Sequence, residues 1–128
     1  MNLRLDTPVA LWVITDSPKL PSSARQLIAA PRNTVWVSAA AVWEIAIKHS
    51  PGHGDMPVSG ALALGCFQAA GYRILAVGAA HAVAVAGLAA HHHDPFDRLM
   101  IAQALLEPMR LMSHDPMVAR YSDTVIKI

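Results

Sequence analysis

The sequence predicts an α/β fold, a central and mostly parallel sheet flanked by helices, and three observations carry that expectation. Short apolar or β-branched runs alternate with helical runs along the whole chain, and a right-handed crossover is the economical link between parallel neighbours. Proline, glycine, serine and aspartate sit at the changeovers, where the backbone must turn or a helix must be capped. Repeats, low-complexity tracts and linkers are lacking, so the 128 residues are expected to form one domain, 1–128, long enough to bury a real core.

Taken in order, Asn2 to Leu5 reads as a strand ending at Asp6, and Pro8 opens a helix through Ile14, since proline is tolerated in a first helical turn. Ser17-Pro18 and Pro21-Ser22-Ser23 make a turn, with a serine hydroxyl to cap a helix over Ala24 to Ala30 that Pro31-Arg32-Asn33 ends. Thr34 to Val37 is β-branched and aromatic, hence a strand, and Ser38 is the N-cap of the alanine-rich helix Ala39 to Lys48. The turn "SPGHGDMPV" follows, then a helix from Ser59 to Ala70 closed by Gly71, a strand over Tyr72 to Val77 and a helix over Ala79 to Leu88. A helix reaching Leu106 with Pro95 in its first turn, a strand over Arg110 to Ser113, a short helix over Pro116 to Tyr121 and a strand over Thr124 to Ile128 complete the chain.

Composition narrows the classes. Apolar residues are 54% and charged residues 15% of the chain, rich enough that some apolar surface is expected to meet a partner. The longest uncharged runs are broken by serine, glutamine, glycine or histidine, so no transmembrane helix is expected, and Val9 to Ile14 is too short for a signal peptide before Asp16. A cytoplasmic protein is the expectation. The single Cys66 agrees with it and reads as an inert buried thiol. A net charge of +1 excludes a strong basic field, so a nucleic acid would be held locally. No glycine-rich dinucleotide motif, P-loop or nucleophile elbow is present.

Carboxylate chemistry survives these exclusions. Parallel sheets bind ligands beyond the C-terminal ends of their strands. Asp6 follows the first strand, Asp115 follows "RLMS", and Glu44 lies on the helix launched from Ser38, so all three can face one crevice. Asp6 and Asp115 also read as cap residues, each close to a proline that opens a helix. Glu44 is the only charge between Arg32 and Lys48; it reads either as an i,i+4 partner of Lys48 or as an acid aimed inward at a metal.

In "HHHDPFDRLMIAQALLE", Asp94 precedes Pro95 and is the expected N-cap, its side chain engaged by the N–H of residue 96 or 97. Asp97 then starts the apolar face continued by Met100, Ile101 and Ala104, and points toward the other acids. Adjacent histidines rarely converge on one ion, so His91 to His93 read as a solvated approach loop. Trp12, Trp36 and Trp43 read as core residues.

In four ordered blocks, "LRLDTPVALW", "VSAAAVWEIAIKHS", "HHHDPFDRLMIAQAL" and "LMSHD", the chain resembles the PIN domain, and within it the VapC-like toxins of bacterial type II toxin–antitoxin pairs. It departs from the common pattern at Pro8 and in the segment "SPGHGDMPV", neither of which changes an acid of the family's site. The resemblance implies a PIN-like three-layer sandwich and an acidic site of Asp6, Glu44, Asp97 and Asp115, supported by the hydroxyls of Thr7 and Ser38. It implies a Mg²⁺- or Mn²⁺-dependent endoribonuclease, a small antitoxin protein as partner, and a homodimer. The residues suit that chemistry, because oxygen-only ligands choose hard cations and crowded carboxylates repel one another until a divalent ion neutralises them. A catalytically silent PIN-like protein-binding module is the alternative. A receiver-like signalling domain is disfavoured, since neither position 5 nor position 7 holds a second acid.

Overall fold

The computed structural model describes residues 1–50 and 56–128. The described residues form five strands interspersed with seven α-helices: β1 (Asn2–Leu5), α1 (Thr7–Ile14), α2 (Ser22–Ala29), β2 (Thr34–Ser38), α3 (Ala39–Lys48), α4 (Gly60–Ala69), β3 (Arg73–Leu75), α5 (Ala79–Ala84), α6 (Pro95–Leu106), β4 (Arg110–Ser113), α7 (Pro116–Ala119) and β5 (Ile126–Lys127). A 3₁₀ turn over Val85–Gly87 follows α5. Every described strand pairing is parallel, in the order β3-β2-β1-β4-β5. The expected α/β class with a central parallel sheet is the observed one.

Strand alternation assigns the faces. Leu3 and Leu5 are fully buried in the larger apolar cluster with Val35, Val37, Ile45 and Phe67. On β4, Met112 joins that cluster while its neighbour Leu111 joins a second one with Ile101 and Val118, as successive side chains of a strand must. Helices therefore cover both faces. Arg4 pairs in register with Leu111 and lies on the α6 face, where it is 0% exposed.

The sheet grows from β1 to β2 and β3 on one side, and the chain then returns to lay β4 on the other. The β1–β4 border is thus a topological switch point, the usual place for a crevice in an open parallel sheet. In register, Leu5 stands beside Val37 and Met112, which brings the next residue, Asp6, level with Ser38 and Ser113.

Several expectations are corrected at element ends. The helix after the first turn begins at Ser22, and its cap position is Pro21 with no side-chain cap, so neither serine caps it. The helix expected to reach Leu88 stops at Ala84, and the strands expected over Tyr72 to Val77 and Thr124 to Ile128 contract to three and two residues. Sheet pairing, not local propensity, sets such lengths. The "SPGHGDMPV" turn falls mostly on 51–55, outside the described residues. Trp43 is 57% exposed rather than core, because the face of α3 that carries Ala41, Glu44 and Ile45 is the one turned inward. Trp12 and Trp36 are half-buried, and Cys66 is half-buried rather than enclosed. Among the described residues no helix is long and apolar enough to cross a membrane.

Candidate active site

Each acid is delivered by a helix end or a helix face. Asp6 caps α1 by accepting the Val9 N–H on Oδ1 at 3.0 Å, and Asp115 caps α7 by accepting the Met117 N–H on Oδ1 at 2.9 Å. Asp94 caps α6, its Oδ1 accepting the N–H of Phe96 at 2.8 Å and of Asp97 at 3.1 Å. Glu44 lies on the buried face of α3, whose N-cap is Ser38. Capping and crevice placement are compatible, since a carboxylate has two oxygens and a cap uses one.

The four acids are linked in a chain of charges, Asp115 acting on Asp6 and both Asp6 and Glu44 acting on Asp97. Asp97 is pushed up to about 7, first by burial and then by the charge of Asp94, with Glu44 and Asp6 adding to the rise and His92 opposing it. Asp6 is pushed up to about 6, chiefly by burial, with Asp115 adding to the rise and Ser113, the Val9 amide and Arg4 opposing it. Both shifts mean that two negative charges are held where water cannot fully solvate them.

Glu44 satisfies both of its alternatives. Its Oε2 pairs with Lys48 Nζ at 2.6 Å, while its Oε1 is buried and accepts no hydrogen bond among the described residues. A buried unpaired carboxylate oxygen is costly unless something positive meets it. Glu44 and Lys48 also line an open cavity of about 580 Å³ together with Thr7, Pro8 and Trp12. Thr7 is buried, and its hydroxyl points to Met100 Sδ at 3.7 Å.

Ser38 acts at one remove from the acids. Its hydroxyl accepts the Ala40 N–H at 3.0 Å and donates to Gln103 Oε1 at 2.5 Å, so it sets α3 against α6 and touches no carboxylate. Gln103 in turn accepts from Arg4 Nη1 at 3.0 Å and donates to the Ala76 carbonyl at 3.3 Å. Arg4 Nη2 donates to the Met100 carbonyl, and burial lowers the guanidinium to about 10, so it remains a cation two residues from Asp6. The strand β1, which leads into Asp6, and the helices α3 and α6, which carry Glu44 and Asp97, are thereby tied through one glutamine.

The histidine loop is a solvated approach only at His93, which is exposed; His91 and His92 are half-buried. The N–H groups of His91 and His92 donate to Tyr121 Oη at 3.1 and 2.8 Å, and Arg98 donates to the carbonyls of Val85, Ala89 and His92. So pinned, the loop directs His92 Nε2 to Asp115 Oδ2 at 2.8 Å and to within 3.1 Å of Asp97 Oδ2. Ligand-type atoms of His92, Asp97 and Asp115 lie within 4.8 Å of one another. Arg4, Gln103, Ser113 and His92 were not legible as site residues; the one hint was an arginine placed inside an apolar strand.

The donor set fits a hard divalent cation, since it is dominated by carboxylate oxygens and Glu44 Oε1 has no other partner among the described residues. Lys48 is raised, first by its hydrogen bond to Glu44, and also by Asp94 and Asp97, as befits a cation at the rim of an acidic crevice.

The PIN domain family pattern matches residues 4–123. No curated protein matches the sequence. Solved structures similar to this chain include VapBC2 from Rickettsia felis bound to a DNA fragment from its promoter, at 17% identity and TM-score 0.72, covering 100% of this chain and 98% of the other. DNA-bound VapBC from Salmonella typhimurium is similar at 13% identity and TM-score 0.69, covering 100% and 97%. The PIN domain endonuclease Utp24 is similar at 10% identity and TM-score 0.55, covering 94% and 75%.

Proposed function

The chain belongs to the PIN domain family, and from that premise we propose that it is a metal-dependent endoribonuclease acting in the cytoplasm as the toxin of a type II toxin–antitoxin pair. What supports the catalytic part is the coupling of Asp6 with Asp115 and of Asp97 with Glu44 and Asp6 at the C-terminal edge of the sheet, with Glu44 Oε1 buried and unpaired among the described residues. The four carboxylates would hold Mg²⁺ or Mn²⁺. When bound, such an ion supplies charge neutralisation, polarisation of the phosphoryl group and a water of lowered pKa.

The chain's own residues supply the rest. Arg4 and Lys48 offset part of the carboxylate charge from below and from the rim. The cavity beside Glu44 offers room for a phosphodiester and the flat faces of bases next to Trp12. Cleavage of the P–O3′ bond by water leaves a 5′-phosphate and a 3′-hydroxyl and needs no side-chain nucleophile.

The toxin reading rests on the resemblance to VapC-like proteins and on the likeness to the VapBC structures. It fits the exposed apolar residues Trp43, Ile47 and Val83, which suit a small antitoxin protein and a second copy of this chain in a homodimer. The test is incubation of total RNA with the protein in Mg²⁺, in Mn²⁺ or in chelator, beside an Asp97→Asn control. Metal-dependent cleavage that the control lacks supports the proposal. No cleavage in any condition favours the silent protein-binding module.

A further inference from the structure

Resting on the reading of the four carboxylates as a cation site, we propose that His92 occupies that site in the metal-free protein and that a divalent cation binds by displacing its imidazole. Both ring nitrogens are engaged. The Asp94 N–H donates to Nδ1 at 3.1 Å, so Nδ1 presents a lone pair and the proton of the neutral ring sits on Nε2. That proton is donated to Asp115 Oδ2 at 2.8 Å, with Asp97 Oδ2 3.1 Å from the same nitrogen. A nitrogen that carries a proton has no lone pair for a metal. His92 is therefore a donor standing where two carboxylate oxygens converge.

Asp115 has little else to offer a cation. Its Oδ1 is engaged by the Met117 N–H at 2.9 Å, which leaves Oδ2, the oxygen His92 holds. An ion seated between Asp97 and Asp115 would face the Nε2 proton directly. Moving that proton to Nδ1 would turn His92 into a ligand, but would set two donors, Nδ1–H and the Asp94 N–H, against each other. A hard ion gains little from imidazole that oxygen ligands do not already provide, so departure of the ring is the favoured route.

The surroundings permit that departure without opening the loop. Tyr121 and Arg98 hold the backbone of His91 and His92, so the movement is a rotation of one side chain. An open cavity of about 290 Å³, lined by His91, His92, His93, Asp94 and Met117, adjoins the ring and can receive it. The site then has a closed state filled by the imidazole and an open state that binds the ion, and the population of the closed state weakens the apparent affinity.

The experiment is calorimetric titration of Mg²⁺ into the metal-free full chain as wild type, His92→Ala and His92→Gln, with the imidazole N–H of His92 followed by NMR in the wild type. We expect His92→Ala to bind Mg²⁺ about three- to tenfold more tightly than wild type. His92→Gln, whose amide can still donate to Asp115, should gain less, and the Nε2–H signal of the metal-free wild type should leave its hydrogen-bonded position on saturation. Weaker binding by His92→Ala would make His92 a ligand, and equal binding would make it a bystander; either overturns the displacement. No binding by any of the three proteins would overturn the cation reading itself, and this inference with it.

Discussion

The N–H of Asp97 donates to Oδ1 of Asp94 at 3.1 Å, so two carboxylates at the start of one helix have different tasks: Asp94 caps the helix N-terminus and Asp97 faces the crevice. Asp97→Asn is expected to abolish metal-dependent RNA cleavage. Asp94→Asn, itself a good cap, should keep a substantial fraction of activity and nearly all stability, whereas Asp94→Ala should cost about 1 kcal/mol in denaturant unfolding. Equal loss of cleavage in Asp94→Asn and Asp97→Asn at saturating Mg²⁺ would place Asp94 in the cation site.

The raised carboxyls of Asp6, about 6, and Asp97, about 7, set the sign of a pH effect. Because unfolded aspartate titrates near about 3.9, the folded metal-free chain binds more protons than the unfolded one between about pH 4 and about pH 7. Stability therefore falls as pH rises through that window, the reverse of the usual carboxylate case. Scanning calorimetry in chelator should give a lower Tm at about pH 8 than at about pH 5, and Mg²⁺ should restore more at the higher pH.

The same shift makes a mutant test. At about pH 8 Asp97→Asn removes a half-buried charge and should raise the metal-free Tm, while at about pH 5, where Asp97 is already protonated, it should change little. A purely structural aspartate would lose stability at both values on substitution.

Glu44 gives one oxygen to Lys48, and its other, buried oxygen has no partner among the described residues. Glu44→Gln should fold, since it keeps the volume, yet abolish cleavage and weaken Mg²⁺ binding, and Asp6→Asn should do the same. Survival of cleavage in both folded variants would sink the metal-nuclease reading. Mg²⁺ titration followed by calorimetry separates loss of binding from loss of turnover.

Two packing predictions are independent of activity. Gln103→Leu leaves Arg4 Nη1 and the Ser38 hydroxyl without their acceptor and should destabilise by about 1.5–3 kcal/mol, the range for a hydrogen bond to a charged group. A Cβ on Gly60 would lie 2.7 Å from Ala46 Cβ, where α3 packs on α4. The Gly60→Ala clash, about 1–3 kcal/mol, should outweigh the helix propensity gained, about 0.5–1 kcal/mol. Urea unfolding of each variant checks both.

What the sequence by itself determined is what short-range rules govern. Strand periodicity and cap chemistry located β1, β2 and β4 and identified Asp6, Ser38, Asp94 and Asp115 as helix starts, because a cap is decided by a residue and the three or four amides after it. The alternation of strand and helix then implied a parallel sheet whose C-terminal edge gathers the acids. Only the tertiary structure decided the rest. Arg4 finds Gln103 from 99 positions away, and His92 finds Asp115 from 23; no local pattern encodes such pairs. Trp43 is exposed because the inward face of α3 is chosen by what α4 and α6 present to it. The raised carboxyls of Asp6 and Asp97 belong to the same class, since burial and the nearness of other charges arise when separate elements pack together and exclude water between them.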